Sequence, residues 1–465
     1  MTERRITDRP IRRPRPAALA LLLLLLPGPR AVVSQVSPPP ATVTTDSDVT
    51  VSRYLDRQNG MTADRAVARA IEQNAELAAI RQDVQAAEAL VRQAGLRPNP
   101  SVEASGTRQI GGSDNSLMVQ GALPLELGGR RASRISVAQA ELEIRRQAYS
   151  ERERQLAFEV RSKFGESLAA VLKLGFDEEM LDMAVQNRDL VAAQVAEGRR
   201  PPLDQSMETV ELNRIRASRE TSEGTVEVRL LELRNLIGAT PEEPLRIRGE
   251  FQALLDPPLP IQAEATQRAL QTRPDLAGAR AVEQLAAAGV DQARADGRTD
   301  AEVTVGYQRM RSGFPLLGVQ ESTGALLPIE DRFHFFTFGV RVQLPVRNRN
   351  QGTIAAARLD EDAARNRREF GELTIRREVA AAFARYQRAR RAMEIYKVGV
   401  RDQASANLDV VRQTYELGEK TLLDYVAEHH RFLEVENGYI DATLETYLAR
   451  LEILRASNAP ELTNK

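Results

Sequence analysis

The chain has 465 residues, 64 basic and 65 acidic, for a net charge of −1. It has no cysteine, and its only histidines are His334, His429 and His430. This excludes disulfide frameworks, thiolate metal sites, cysteine nucleophiles, a lipid anchor on an N-terminal cysteine and a histidine-rich metal cage. Balanced charge argues against a nucleic-acid partner.

In chain order, Arg12, Arg13 and Arg15 precede the apolar run Ala17–Leu26, and small residues follow. That layout predicts a secretory signal peptide over residues 1–34. The run falls short of the roughly 18 residues that cross a membrane as a helix. Residues 35–60, rich in Pro, Ser, Thr and Asp, read as a flexible leader. From Met61 the composition shifts to strong helix formers. Met61–Ala94 reads as a helix, followed by strands near Ser101–Gln109 and Ser116–Leu125. A long helix near Ala132–Glu197 and a shorter one near Leu203–Ile237 complete a first unit, residues 61–240. A linker over 241–262 leads to a second unit, 263–456. Its elements are a helix over Ala263–Ala295, strands near Ala301–Arg309 and Arg332–Leu344, and helices over Gln351–Leu417 and Leu422–Ala456. Residues 457–465 read as a tail.

Proline placement supports the long helices. No proline lies between Pro124 and Pro201, nor between Pro345 and Pro460, and an interior proline costs about 3 kcal/mol in a helix. The two units repeat each other. Leu123-Pro124-Leu125 returns as Leu344-Pro345-Val346, and Gly198 with Leu203-Asp204 returns as Gly418 with Leu423-Asp424. The offset grows by about 22 residues between the first helix and the strands. That places an insertion in Met310–Asp331, whose glycines, prolines and mixed polarity read as a loop. In each unit two short helices together match the long one, as expected if they stack end to end along it. Ile440, Leu444, Tyr447, Leu451 and Leu454, and Val226, Leu230, Leu233 and Ile237, keep coiled-coil spacing.

The strands alternate. Phe336, Phe338, Val340, Val342 and Leu344 share one face, and the repeat keeps the same face apolar in Leu117, Val119, Leu123 and Leu125. An apolar face on one side and a polar face on the other fits a membrane barrel, with lipid outside and water inside. Four strands cannot close, and an open edge in lipid leaves unsatisfied backbone groups. Other copies of the chain must complete the barrel. Two would give eight strands and three would give twelve. A soluble periplasmic coiled-coil scaffold or adaptor is the rival reading, and the lipid-like strand faces argue against it. No Walker loop, nucleophile elbow or metal-ligand spacing is present, so no enzyme, catalytic residue or cofactor is expected.

The sequence resembles the TolC-like outer-membrane efflux proteins across roughly Met61–Ala456. The residues that carry the resemblance are Tyr415-Glu416-Leu417-Gly418-Glu419-Lys420-Thr421-Leu422-Leu423-Asp424 and the matching Glu197-Gly198 with Leu203-Asp204. Arg97-Pro98-Asn99-Pro100 and the Leu-Pro strand exits add to it. Leu123-Pro124-Leu125-Glu126-Leu127-Gly128-Gly129-Arg130-Arg131 resembles the cobalt–zinc–cadmium branch. The resemblance implies a mainly helical protomer with four strands, in a homotrimer that closes a twelve-stranded outer-membrane β-barrel above a helical periplasmic tunnel. The implied partners are outer-membrane lipid, a periplasmic adaptor (membrane fusion) protein and an inner-membrane proton-driven efflux pump. The implied function is a passive exit duct, with heavy-metal cations as one substrate class.

The resemblance also implies site residues. Asp424 would occur three times around the axis and form a pore constriction, where mutual repulsion raises the carboxylate pKa values; the plainer role is helix capping. Tyr415, Lys420 and Asp204 map onto a gate latch. A second aspartate ring of the family falls on Ala427, so the constriction here is expected to be single. Pro124, Gly128, Gly129 and Pro345 are expected to form the hinge between barrel and tunnel. His429 and His430 are adjacent on a helix, so their side chains diverge and a metal site is not expected.

Overall fold

The computed structural model describes residues 51–463. The elements are α1 (Ala63–Gln73), α2 (Ala75–Ala94), β1 (Ser101–Arg108), β2 (Asn115–Pro124), α3 (Arg130–Ala196), α4 (Pro202–Leu236), α5 (Phe251–Leu255), α6 (Gln262–Thr272), α7 (Pro274–Asp296), β3 (Asp300–Val319), β4 (Leu326–Gln343), α8 (Gln351–Glu394), α9 (Asp402–Glu416) and α10 (Leu422–Ala456). A π-helical turn, Ile395–Arg401, joins α8 to α9. The second long helix is therefore continuous to Glu416, with one widened turn. Arg401 holds that turn, its Nε 2.6 Å from Glu436 Oε1 and its guanidinium 5.1 Å from the Tyr439 ring centre.

Each expected first helix is in fact two. Asn74 takes an extended conformation and its side chain accepts the Leu77 amide at 3.0 Å, ending α1 and starting α2. In the second unit Pro274 supplies the same corner by opening α7. The corner places α2 in line with α4. Asn74 Nδ2 donates to the Leu236 carbonyl at 3.2 Å, where α4 ends. α3 packs against both, with Arg152–Glu76 and Arg146–Glu88 pairs on the α2 side and Arg219–Glu178 on the α4 side. The second unit repeats this: Asn458 Nδ2 donates to the Thr272 carbonyl at 2.8 Å beyond the end of α10.

The main core lies at this junction. Leu156, Val160, Phe164, Leu168, Val171 and Leu174 of α3 pack with Val226, Leu230 and Leu233 of α4, with Ile237, and with Tyr447, Leu451 and Leu454 of α10. Both coiled-coil seams read from the sequence meet here. The leader, expected to be flexible, is packed in its last ten residues: Leu55 and Met61 bridge to Ile247, and Val51, Tyr54 and Leu55 lie on the core. The 241–262 linker supplies Leu245, Ile247 and Phe251 to the same core. The tail is also built in. Leu462 is buried, and its carbonyl accepts Arg161 Nε at 2.8 Å. Apolar residues spaced through these connecting stretches explain both differences, because the core gives them somewhere to go. The signal-peptide expectation lies outside the described residues.

The four strands form one antiparallel sheet in sequence order. The register aligns Val119, Tyr307 and Phe336, then Leu123, Val303 and Val340. One face thus carries the apolar residues of all four strands, and they are uncovered: Phe336 is 71 % and Phe338 77 % exposed. The opposite face carries Glu103, Gln120, Thr304 and Thr337, with an Arg341–Glu302 pair at 3.0 Å. Residues 310–331, expected as a loop, instead extend β3 and β4 into a long hairpin. Their ladder continues from Met310↔Phe333 to Val319↔Leu326, slipping only between Phe314 and Leu317. Pro315, which has no amide hydrogen, sits in that slip.

Core packing gives a paired test. A Cβ at Gly165 would lie 2.5 Å from Tyr447 Cε1, whereas a Cβ at Gly224 meets nothing within 4 Å. Both glycines are helical. Gly165→Ala should destabilise by about 1–3 kcal/mol through overpacking, and Gly224→Ala should stabilise by about 0.5–1 kcal/mol. Thermal melts of helical circular dichroism in detergent check the opposite signs.

Candidate functional site: the helix turns and the strand-to-helix corner

The end of the helices remote from the sheet carries two turns, one per unit. α3 ends at Ala196 and α4 begins at Pro202; α9 ends at Glu416 and α10 begins at Leu422. Gly198 and Gly418 stop the long helices with φ of 70° and 81°, a left-handed conformation that favours glycine.

Asp424 lies in the first turn of α10 and is exposed. It forms a capping box with Thr421: Asp424 Oδ2 accepts the Thr421 amide at 3.1 Å and hydroxyl at 2.8 Å, while Thr421 Oγ1 accepts the Asp424 amide at 3.2 Å. These donations from the Thr421 hydroxyl and amide hold the carboxyl below the usual aspartate range within one protomer. Capping leaves the carboxylate in solvent, so the same group remains available to ions.

Tyr415 is buried and stacks on Tyr425, with ring centres 5.4 Å apart and planes within 8°. Its hydroxyl accepts a hydrogen bond from Arg200, whose guanidinium also sits 4.3 Å from the ring centre. Asp204 does not reach Tyr415 as their shared assignment to a latch suggested. It pairs with Arg200 at 3.7 Å, and so joins the tyrosine through the arginine. Burial pushes the Tyr415 phenol up, so it stays protonated through the physiological range. Asn187 Nδ2 donates to the Tyr425 hydroxyl at 3.0 Å, adding a second tie between the units. Lys420 is exposed, and its ammonium forms no ion pair among the described residues.

Arg200 is the residue of this cluster that sequence reading missed. The signal was available: the 220-residue offset that aligns Gly198 with Gly418 also aligns Arg200 with Lys420. His429 is buried beside Tyr425, and His430 Nε2 lies 3.1 Å from Glu211 Oε1 and from an Arg214 nitrogen. These contacts fasten α10 to α4.

The other candidate site is the corner between sheet and helix. Pro124 ends β2, and Pro345 lies two residues beyond the end of β4. Gly128 and Gly129 have φ of 74° and 88°, and Gly129 caps α3; Asn350, at φ 62°, caps α8 in the same way. The corner is held by named contacts. Arg298 Nη1 donates to the Gly128 carbonyl at 3.0 Å, Leu127 N donates to Asp300 Oδ1 at 3.0 Å, and Arg130 pairs with Asp300. A Cβ on Gly128 would lie 2.8 Å from Arg298 Cβ.

Comparison with known proteins follows the same outline. Residues 66–239 and 265–459 match the family described as outer membrane efflux protein. The chain is 24 % identical over 429 residues, 91 % of this chain and 96 % of the relative, to the cobalt-zinc-cadmium resistance protein CzcC of Cupriavidus metallidurans. Among solved structures it resembles CusC, described for its transmembrane channel formation, with a TM-score of 0.70 at 18 % identity, covering 85 % of this chain and 91 % of that one. It also resembles the open state of the MtrE outer membrane channel of Neisseria gonorrhoeae, with a TM-score of 0.66 at 18 % identity, covering 85 % of this chain and 88 % of that one. The uncovered apolar sheet face, the long paired helices and the two-fold repeat are what such a channel protomer requires. The chain belongs to the outer membrane efflux protein family, and is an outer-membrane exit duct of a tripartite efflux system that extends into the periplasm.

Proposed function

We propose that this duct is a homotrimer whose tip is fastened by two kinds of contact and whose narrowest polar ring is Asp424. The observation that carries the reading is the Asp204–Arg200–Tyr415 cluster, which ties the first unit's turn to the second unit's turn inside one chain. Lys420 occupies the position equivalent to Arg200, is exposed and forms no ion pair among the described residues, and in this reading it reaches the neighbouring protomer. Opening requires the Arg200–Tyr415 bond to break, and a hydrogen bond to a charged group is worth about 1.5–3 kcal/mol. Work for opening comes from a periplasmic adaptor and a proton-driven inner-membrane pump. The duct itself performs no chemistry. Pro124, Gly128, Gly129 and Pro345 turn the wall from strand to helix, and the Arg298 and Arg130–Asp300 contacts support that corner in a fixed bend.

Heavy-metal cations are the proposed cargo, supported by the likeness to CzcC along nearly the whole chain. Loss of the protein should lower tolerance to cobalt, zinc or cadmium in growth assays. Sensitivity confined to dyes and antibiotics would refute the metal assignment while leaving the duct.

The tip makes two further predictions. Arg200→Ala should raise the conductance of the resting channel in planar bilayers by removing both the hydrogen bond and the cation–π contact, while Lys420→Ala should act additively because it faces a different chain. Asp424→Ala should weaken block by multivalent cations. The pH dependence has a definite sign. Thr421 lowers the Asp424 pKa, so Thr421→Ala raises it, and cation block should be lost at a higher pH than in the parent channel. Block that is equally pH-sensitive in both channels would remove Asp424 as the blocking group.

A further inference from the structure

The hairpin over residues 310–331 inverts the alternation of the sheet. Up to the Tyr307↔Phe336 pair, the apolar side chains occupy the lipid face. Just beyond it that face carries a charged belt, with Arg309 opposite His334, Arg311 opposite Arg332, and an Arg311–Glu330 ion pair, before Leu317, Val319 and Leu326 return it to apolar side chains at the tip. Tyr307 and His334, bonded at 2.7 Å, mark the change. They suit the aromatic girdle at the membrane surface.

The opposite face changes in the reverse sense. Near the helices it is polar, with Glu302, Thr304, Gln120 and Thr337. Above Gln308 it carries Met310, Phe333 and Phe335, then the polar pair Ser312 and Asp331, then Phe314 and Ile329. Phe333 packs edge-on against Phe314 and stacks on Phe335, each pair 6.3 Å between ring centres. In one protomer this face is partly uncovered: Phe314 is 40 %, Ile329 41 % and Phe335 44 % exposed. By register it faces the lumen side, not lipid.

The hairpin also outgrows its neighbours. β2 pairs with β3 only as far as Asn115↔Arg311, and β1 ends at Arg108. Around a closed barrel β4 would pair with the β1 of the next chain, which has only eight residues. β3 has 20 residues and β4 has 18, whereas a tilted span needs about 9–11. Above the Arg311↔Arg332 pair the hairpin therefore has no strand on either edge among the described residues; Phe314 and Ile329 lie in this free part, and Phe333 and Phe335 just below it. A lone two-stranded hairpin is marginal in water unless it packs a face on something. Its base is tethered toward the β1–β2 turn, where Gly313 N donates to Asp114 Oδ1 at 2.7 Å.

We propose that the three β3–β4 hairpins of the trimer lean over the outer mouth and pack their inward apolar faces, led by Phe314, Leu327 and Ile329, on one another about the axis. This rests on the trimeric reading above and adds an outer closure to the tip at the other end. The occupant of each apolar face is the same face of the other two copies. A twelve-stranded wall spaced at 4.8 Å and tilted by about 40° encloses a bore roughly 24 Å across between backbones. Straight hairpins would leave that bore open and their phenylalanines in water, so burial drives them inward. A closed apolar ring resists ions by excluding water.

The chain has no cysteine, so single cysteines report on the packing directly. Ile329→Cys and Leu327→Cys sit on the inward face near the tip, and Thr337→Cys lies on the same face lower in the wall. Variants extracted from outer membranes are first checked for trimeric mass, then oxidised in place. The expected result is a reducible two-chain band from Ile329→Cys or Leu327→Cys and none from Thr337→Cys, because a disulfide needs Cα atoms within about 7 Å. Trimers without that band overturn the closure and leave the duct standing. A monomeric mass overturns both. If the cysteine variants fail to assemble, the variant Phe314→Ser, Phe333→Ser, Phe335→Ser decides the matter. Its single-channel conductance should rise about twofold or more, and unchanged conductance overturns the proposal.

Discussion

A sheet edge cannot be left unpaired in lipid, and this constraint organises the molecule. Among the described residues β1 and β4 each lack a second neighbour, while the apolar face they share is uncovered across all four strands. Each unpaired backbone group would cost several kcal/mol in hydrocarbon. The protomer is therefore an arc of wall, stable in its membrane only when other arcs close it. The helices inherit the same condition. Their main core lies at the junction of the two units, and the wall beyond it is held by smaller apolar clusters, such as Met180, Ala184, Leu212 and Ile215, together with ion pairs.

Duplication explains how one chain supplies matched pieces of that wall. Both units turn from strand to long helix through a left-handed residue, Gly129 in one and Asn350 in the other. Both set two short helices end to end along the long one, through Asn74 with Leu236 and through Asn458 with Thr272. The units diverge where the wall must do more than stand. The second long helix carries a π turn at Ile395–Arg401 and the first does not. The second hairpin carries the extension over residues 310–331, and the first hairpin turns within six residues, 109–114.

Much of this was legible in the sequence. Proline-free stretches gave both long helices to within a few residues, and period-two alternation gave the strand faces because lipid and water demand opposite chemistry on alternate residues. The errors have physical causes. The Asn74 and Pro274 corners were hidden because strong helix formers flank both. The 310–331 hairpin was read as a loop because glycines and a proline mark turns in soluble sheets, and because its alternation inverts at Tyr307. The leader was read as flexible because its apolar residues are few; Leu55 meets Ile247 of the linker, and Leu462 of the tail meets the core, only in the folded junction. At the tip, Tyr415 and Asp204 were found, but Arg200 between them was not. A pairwise motif does not reveal the side chain that bridges it.

Arg200 also shows how the repeat breaks its own symmetry. In the first unit Pro201 precedes α4 and offers no side-chain cap, which leaves Asp204 free to pair with Arg200. In the second unit Thr421 holds that place and occupies Asp424 in a capping box. The carboxylate so engaged draws Lys420 only through the field between them. The caps of the two units thus differ, proline against threonine, and so do the contacts of their aspartates. On the trimeric reading proposed above, a tip fastened by Arg200 within each protomer and by Lys420 between protomers would open in two separable steps. The inner bond would then yield without dissociating the trimer, because the barrel strands would hold the chains together at the far end.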